Sequence, residues 1–482
     1  MKTYHLKRKT LFEPYLFKQT VLMMQTVKHL FFRGTILFFF LIIASCRPDQ
    51  PIDYARDANQ FDKEAAFEWQ KLMIEISRYT PGFRGPIQAR ALGYIGMAGY
   101  EAAVPGMPRF NSLAAHFPAM RLPRIEYGKK YHWGLCVHTA YSTIIKAFYP
   151  NLPAEQLVKL NILTTDLENK YSKQIADGTI YDRSKKFGKD VANAIYAWSA
   201  TDTEGHNAYL RTAPADYVPP TGMGKWQPTM PDFSRAFVPY WGKVRSFAIS
   251  QSDKLSPAPL PFSTVKTSAY YKQGLEVYAT TTPLSYENQW IAEFWSDDNP
   301  KQTLDPSARW ISILNQALVS RKANLETAVY AYAKVGMAMS DGGVACWFSK
   351  YTYNIERPVQ FIRANIAPNW VTKLNNPLSN VIGYSPAFPA YPSGHAAFGA
   401  AAADAMISVF GNDNYYDFDR THEGRTDFIG KPRFFKTFTQ MALENGISRI
   451  PLGVHWRMDC DEGIRLGKVA AQKVNGLRWL KS

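Results

Sequence analysis

Five stretches in the first 200 residues place apolar side chains at i, i+3, i+4 and i+7. That spacing gives a helix one apolar face and commits it to packing against another. They are DKEAAFEWQKLMIEISRY (62–79), IQARALGYIGMAGYEAA (87–103), YHWGLCVHTAYSTIIKAFY (131–149), AEQLVKLNILTTDLENKYSKQI (154–175) and KKFGKDVANAIYAWSA (185–200), punctuated by YP, PG and DG pairs. They predict a first helical bundle over residues 47–200. Residues 201–262 lose the period and hold nine prolines and two isolated tryptophans, Trp226 and Trp241. A connector of that length is either disordered or pinned onto a scaffold for function, and its aromatic content favours pinning. Helical spacing then resumes over 263–482, including 394–410, 434–447 and 459–476. Alternating strand patterns are scarce, so the expected fold is all-α, two helical bundles in sequence.

The N-terminus departs from this pattern. Lys28, His29 and Arg33 precede the apolar run TILFFFLIIASC (35–46), a basic stub and short apolar core that read as a secretory signal over residues 1–46. Its ending, Ile43-Ala44-Ser45-Cys46, resembles the lipobox of bacterial lipoproteins, in which the cysteine becomes the acylated first residue. The expectation is an exported periplasmic or cell-envelope lipoprotein, its body soluble and held to the membrane only by a lipid on Cys46. No later apolar run is long and uninterrupted enough to span a bilayer.

The net charge of +16 overstates the basicity of that body, because residues 1–46 hold seven Lys/Arg against Glu13 alone. No basic run alternates with aromatics, so nucleic acid is not an expected partner. Cys136, Cys346 and Cys460 form no C-x-x-C pair. One disulfide with a spare thiol and three buried free thiols both remain open, and nothing suggests zinc.

Three separated segments carry chemistry. KYTYNIERP sets Lys350 and Arg357 seven residues apart, on one face if the segment is helical throughout. YPSGHAAFGA puts Ser393, Gly394 and His395 at the start of an Ala-rich helix, where free N–H groups and the helix dipole favour an anion. SRIPLGVHWRMD holds Arg449, His455 and Asp459, and in a helix beginning near His455 the acid at i+4 can fix the imidazole tautomer. Taken singly, these are a charged helix face, a helix cap and a surface ion pair.

Together they match K-x6-RP, PSGH and SR-x5-H-x3-D in order, and the chain resembles the type 2 phosphatidic acid phosphatase and vanadium-dependent haloperoxidase superfamily. The resemblance implies a site in the C-terminal bundle where Lys350, Arg357, Arg449, Ser393 and the Gly394 N–H cradle a tetrahedral oxyanion. In a haloperoxidase, His455 Nε2 is the single protein ligand to vanadium and His395 handles the protons of hydrogen peroxide, which oxidises a halide. In a phosphatase, His455 attacks the phosphorus of a phosphate ester and His395 protonates the leaving alkoxide. The extra N-terminal half resembles haloperoxidases. So do Trp347 and Phe388, aromatics of chloroperoxidase-type members, and FWSDD, whose Asp298 is expected to pair with the oxyanion-binding arginines. The leading expectation is therefore a vanadate-dependent haloperoxidase. The alternatives are a phosphatase without metal and a non-catalytic anion-binding envelope lipoprotein.

Overall fold

In the computed structural model, residues 57–376, 378–412, 415–417 and 429–481 are described. The signal-like segment and Cys46 lie outside them. Fourteen helices follow one another among the described residues: α1 Glu64–Ser77, α2 Pro86–Ala103, α3 Trp133–Phe148, α4 Ala154–Gln174, α5 Gly178–Ala200, α6 Thr203–His206, α7 Ala269–Thr281, α8 Tyr286–Phe294, α9 Pro306–Ser320, α10 Leu325–Tyr353, α11 Pro358–Asn365, α12 Gly394–Phe410, α13 Phe438–Ile447 and α14 Arg457–Asn475. Two three-residue strands, β1 Tyr415–Asp417 and β2 Arg433–Phe435, pair antiparallel. The all-α expectation holds. Among the described residues no helix is long and apolar enough to cross a membrane. Cys136, Cys346 and Cys460 are buried free thiols, which decides between the two readings of the cysteines.

Two helices make the centre. Every residue of α2 is buried, and most of the 29-residue α10 is buried with it. They approach backbone to backbone because glycines face each other. A Cβ on Gly96 would stand 2.6 Å from the Tyr332 carbonyl oxygen, and one on Gly336 2.5 Å from that of Leu92. The compositional boundaries at 200 and 262 therefore do not mark a break in packing, since α2 and α10 lie on opposite sides of them. All described residues belong to one compact unit, Tyr54–Ser482.

The proline-rich connector is pinned. Its Trp226 N–H donates to the Asn354 carbonyl at 2.8 Å and its Phe237 N–H to that of Ala387 at 2.8 Å. The buried carboxylate of Asp341, midway along α10, accepts from the N–H groups of Phe247, Ala248 and Ile249 at 2.6, 2.7 and 3.0 Å. Burial still pushes that acid up to about 6. A segment with little regular structure thus has several of its backbone polar groups satisfied by the residues it crosses.

One buried histidine of the N-terminal half predicts a pH dependence. Trp69 Nε1 donates to His138 Nδ1 at 3.0 Å, so the ring is the neutral Nε2–H tautomer, and burial lowers its pKa to about 3. Between about 6.5 and 3 the unfolded chain binds a proton there that the folded chain refuses, so stability falls as pH falls. Urea denaturation from pH 7 to 4 is expected to show a His138→Gln variant losing up to ~1.4 kcal/mol less per pH unit than the parent. Identical slopes would remove His138 from the account.

Candidate active site

Lys350 sits in the last turn of α10, which stops at Tyr353 because Asn354 turns left-handed (φ 51°, ψ 48°). Pro358 opens α11 and holds Arg357 extended at φ −78°, ψ 152°. The two cations are therefore not on one continuous helical face, as their spacing suggested. A tight turn brings them together instead. Lys350 Nζ donates to the carbonyls of Pro389 and Ala390, both at 2.9 Å, and Arg357 Nε to that of Phe388 at 2.8 Å. Three consecutive carbonyls ahead of the Pro-Ser-Gly-His turn are thus held by the two cations, both fully buried.

The turn leads into α12, capped by Ser393, whose Oγ accepts from the Ala396 N–H at 3.5 Å. Gly394 opens the helix because the Trp347 ring lies against it, 3.2 Å from where a Cβ would be. The alanines that follow have a packing reason. Gly463 and Gly467 of α14 press on α12, and a Cβ on Gly463 would stand 2.5 Å from the Ser393 carbonyl oxygen. Only small side chains allow so close an approach. It brings the start of α14 to the start of α12, where the Ser393 N–H donates to the Asp459 carbonyl at 2.8 Å.

His455 precedes α14, two residues before its first turn, and Asp459 lies inside that turn. The imidazole Nδ1 is 2.9 Å from Asp459 Oδ2, and Nε2 is 3.0 Å from Arg357 Nη1. A guanidinium only donates, so Nε2 is the acceptor and Nδ1 carries the proton, donated to Asp459. The expected i+4 pairing is present, although the histidine itself is not helical. Asp459 Oδ2 also accepts from the Trp456 N–H at 3.0 Å, which locks the carboxylate. Burial, reinforced by Arg357 and Lys350, holds His455 well below the usual imidazole range, so the ring is neutral with its lone pair at Nε2.

Arg449, two residues after α13, donates through Nη2 to Asp298 Oδ1 at 2.9 Å, the pairing expected of that acid. Burial alone would raise the Asp298 carboxyl, but Arg449 and His395 bring it below its ordinary value. His395 Nε2 stands 4.0 Å from the same oxygen. Burial, with Arg449 beside it, lowers His395 to about 3. Burial likewise lowers Lys350 to about 7 and Arg357 to about 9, cations deprived of water and short of counter-charge.

Several buried nitrogens are left over. Arg357 Nη2, Arg449 Nε and His395 Nε2 have no hydrogen-bond partner. Two surplus guanidinium donors beside the His455 Nε2 lone pair, which accepts from Arg357 Nη1, fit a tetrahedral oxyanion bound through His455. Among the described residues no group of three or more His, Cys, Asp or Glu gathers, so nothing there resembles a multidentate metal site.

A cavity of about 270 Å³ opens onto His395, His455, Arg449 and Asp298, with Trp347 and Phe388 in its wall. The structure adds residues that the sequence motifs did not point to. Arg84, from the turn before α2, and Phe237, from the connector, line the same cavity, as does Tyr384. Arg84 donates to the Asp297 carbonyl at 3.1 Å and lies 3.9 Å from Asp305. The Arg-Gly-Pro sequence, with Gly85 at φ 55°, was the only local mark of that turn.

The model of the second helical-bundle domain of vanadium chloroperoxidase (VCPO) matches residues 330–478, which hold every residue of the three motifs. The vanadium chloroperoxidase of Curvularia inaequalis is 25% identical, over 85% of this chain and 81% of its own length. The crystal structure of the first bacterial vanadium-dependent iodoperoxidase superposes with a TM-score of 0.75 at 27% identity, covering 90% of this chain and 99% of that one. A holo-type bacterial vanadium-dependent chloroperoxidase shares the fold at a TM-score of 0.63 and 16% identity, over 82% of this chain and 92% of its own. With its motifs gathered into one buried cradle, the chain is similar to vanadium haloperoxidases in the sequence of its second helical bundle and in fold over most of its length.

Proposed function

We propose that the protein is a vanadate-dependent haloperoxidase that uses hydrogen peroxide to oxidise a halide. The observation that carries this reading is the forced tautomer of His455, which sets an Nε2 lone pair among buried guanidinium donors that have no protein partner. Vanadate, when bound, supplies a Lewis acid that activates peroxide towards halide attack.

The chain's own groups divide the remaining work. His455 is the nitrogen ligand, oriented through Asp459. Lys350, Arg357 and Arg449 neutralise the oxyanion, with Ser393 and the Gly394 N–H completing the cradle at the helix start. His395, neutral at physiological pH, accepts a proton from entering peroxide at a ring nitrogen and returns it to the departing oxygen, the role of a general base and then acid. Asp298 holds Arg449 in place. The signal-like N-terminus supports export and a lipid anchor at Cys46.

The test is an assay of purified apoprotein with and without added vanadate, using bromide, iodide and peroxide, and separately a phosphate ester. Halide oxidation that appears only with vanadate and is suppressed by excess phosphate is the expected result. Ester hydrolysis without halide oxidation at any vanadate concentration would replace this reading with a phosphatase. Vanadate binding without either activity would leave an anion-binding protein.

A further inference from the structure

The cavity above the cradle is larger and less polar than halide oxidation requires. A water molecule takes about 30 Å³ of liquid, and peroxide and a halide are of comparable size, whereas the cavity offers about 270 Å³. Its charged lining includes His395, His455, Arg449, Asp298 and Arg84. Aromatic rings lie beside the cradle, the Phe388 ring 4.7 Å from the Arg357 guanidinium carbon and 5.0 Å from Lys350 Nζ, so an occupant against the rings sits next to the oxyanion site. Trp347 and Phe388 stand 5.2 Å apart between centroids at 46°, Phe388 and Phe237 6.2 Å apart at 43°, and Trp347 and Phe398 6.2 Å apart at 30°. Ring faces tilted about one space favour another ring, and water gains little from such a surface. The volume suits a single ring better than a multi-ring occupant.

We propose that this cavity binds the organic acceptor itself, a small electron-rich aromatic such as a phenol, so that halogen passes to a held ring rather than to solutes in bulk water. The inference rests on the haloperoxidase reading. Peroxide oxidises halide to the hypohalous level, and the ring carbon attacks the halogen. A carbon–halogen bond forms, the halogen–oxygen bond breaks, and the ring proton leaves to the released hydroxide. Aromatic, peroxide, halide and one proton thus become the haloaromatic and two waters. Phe237 is the residue of the wall that can be changed without touching the cradle. It reaches the cavity from the connector, and its backbone holds it there through Ala387 and through Tyr351 Oη, which donates to the Phe237 carbonyl at 2.6 Å. Both bonds survive a side-chain substitution.

The experiment has two arms on the full-length, vanadate-loaded protein. In the first, phenol is titrated by calorimetry without peroxide. Saturable one-to-one binding is expected, weakened about tenfold in Phe237→Ala, with vanadate affinity unchanged. In the second, phenol is brominated with peroxide and bromide, and the ortho-to-para ratio is compared with that from reagent hypobromous acid at the same pH. A ratio differing at least about threefold from the reagent's, and relaxing towards it in Phe237→Ala, is expected. Absence of saturable binding overturns the proposal, as does binding accompanied by the reagent's ratio. Should the protein oxidise no halide, the proposed function fails, while the titration still decides whether the cavity takes an aromatic ring.

Discussion

Replacing His455 by alanine is expected to lower halide oxidation by at least about 100-fold and to abolish the dependence of any residual rate on vanadate. The substitution removes the lone pair that Arg357 Nη1 marks out at 3.0 Å, on a ring whose other nitrogen is held by Asp459 at 2.9 Å. The fold survives it, because each partner keeps another bond. Arg357 Nη1 still donates to the Val454 carbonyl at 2.7 Å, and Asp459 Oδ2 still accepts from the Trp456 N–H. The cost in stability is therefore about 1–3 kcal/mol. Equilibrium dialysis of vanadate against phosphate separates the two effects, since lost affinity with an intact denaturation profile identifies a ligand rather than a structural residue. Asp459→Ala leaves the imidazole in place but frees its tautomer, and a loss of about 10–100-fold follows from disorientation alone. A His455→Ala variant that keeps the parent rate would sink the assignment.

The second large effect lies far from any reacting atom. Gly467→Val drives a side chain into the Ala397 carbonyl oxygen and to within 2.9 Å of the Ala401 nitrogen, both backbone atoms that cannot swing aside. Either α14 lifts off α12 or both bend, at a cost of about 3 kcal/mol or more. The lift acts at the site, because α14 carries Asp459 and α12 carries Ser393 and His395 at their starts. Guanidinium denaturation and activity are expected to fall together. Gly178→Ala, at the open start of α5 where an added Cβ meets nothing within 4 Å, serves as the control and stays within about 0.5 kcal/mol of the parent. A Gly467→Val protein of normal stability would contradict the tight α12–α14 contact.

The cradle was legible in the sequence because its members sit in three short segments whose spacing is set by local geometry: a helix end, a helix start, and a histidine with an acid one turn on. Lys350 and Arg357 show where such reading errs. Seven residues suggested two turns of one helix, yet Asn354 stood between them and Pro358 directly after, one prone to the left-handed region and the other forcing its predecessor, Arg357, to be extended. Arg84 and Phe237 could not be found this way. Nothing in their neighbourhoods relates them to His395, and only the packing of α2 along α10 and the hydrogen bonds of Phe237 to Ala387 and Tyr351 bring them to the cavity. Groupings set by local turns are readable from spacing, whereas the walls around them come from contacts between distant segments.

The burial of α2 also has a consequence in time. A helix with no solvent-facing side emerges early from the ribosome, and its principal partner, α10, begins about 220 residues later. At ordinary synthesis rates that interval is on the order of 10–40 s. Throughout it α2 has α3 to pack on, where Gly99 meets Tyr141, but its Gly96 face, which closes against Tyr332, stays open until α10 is made.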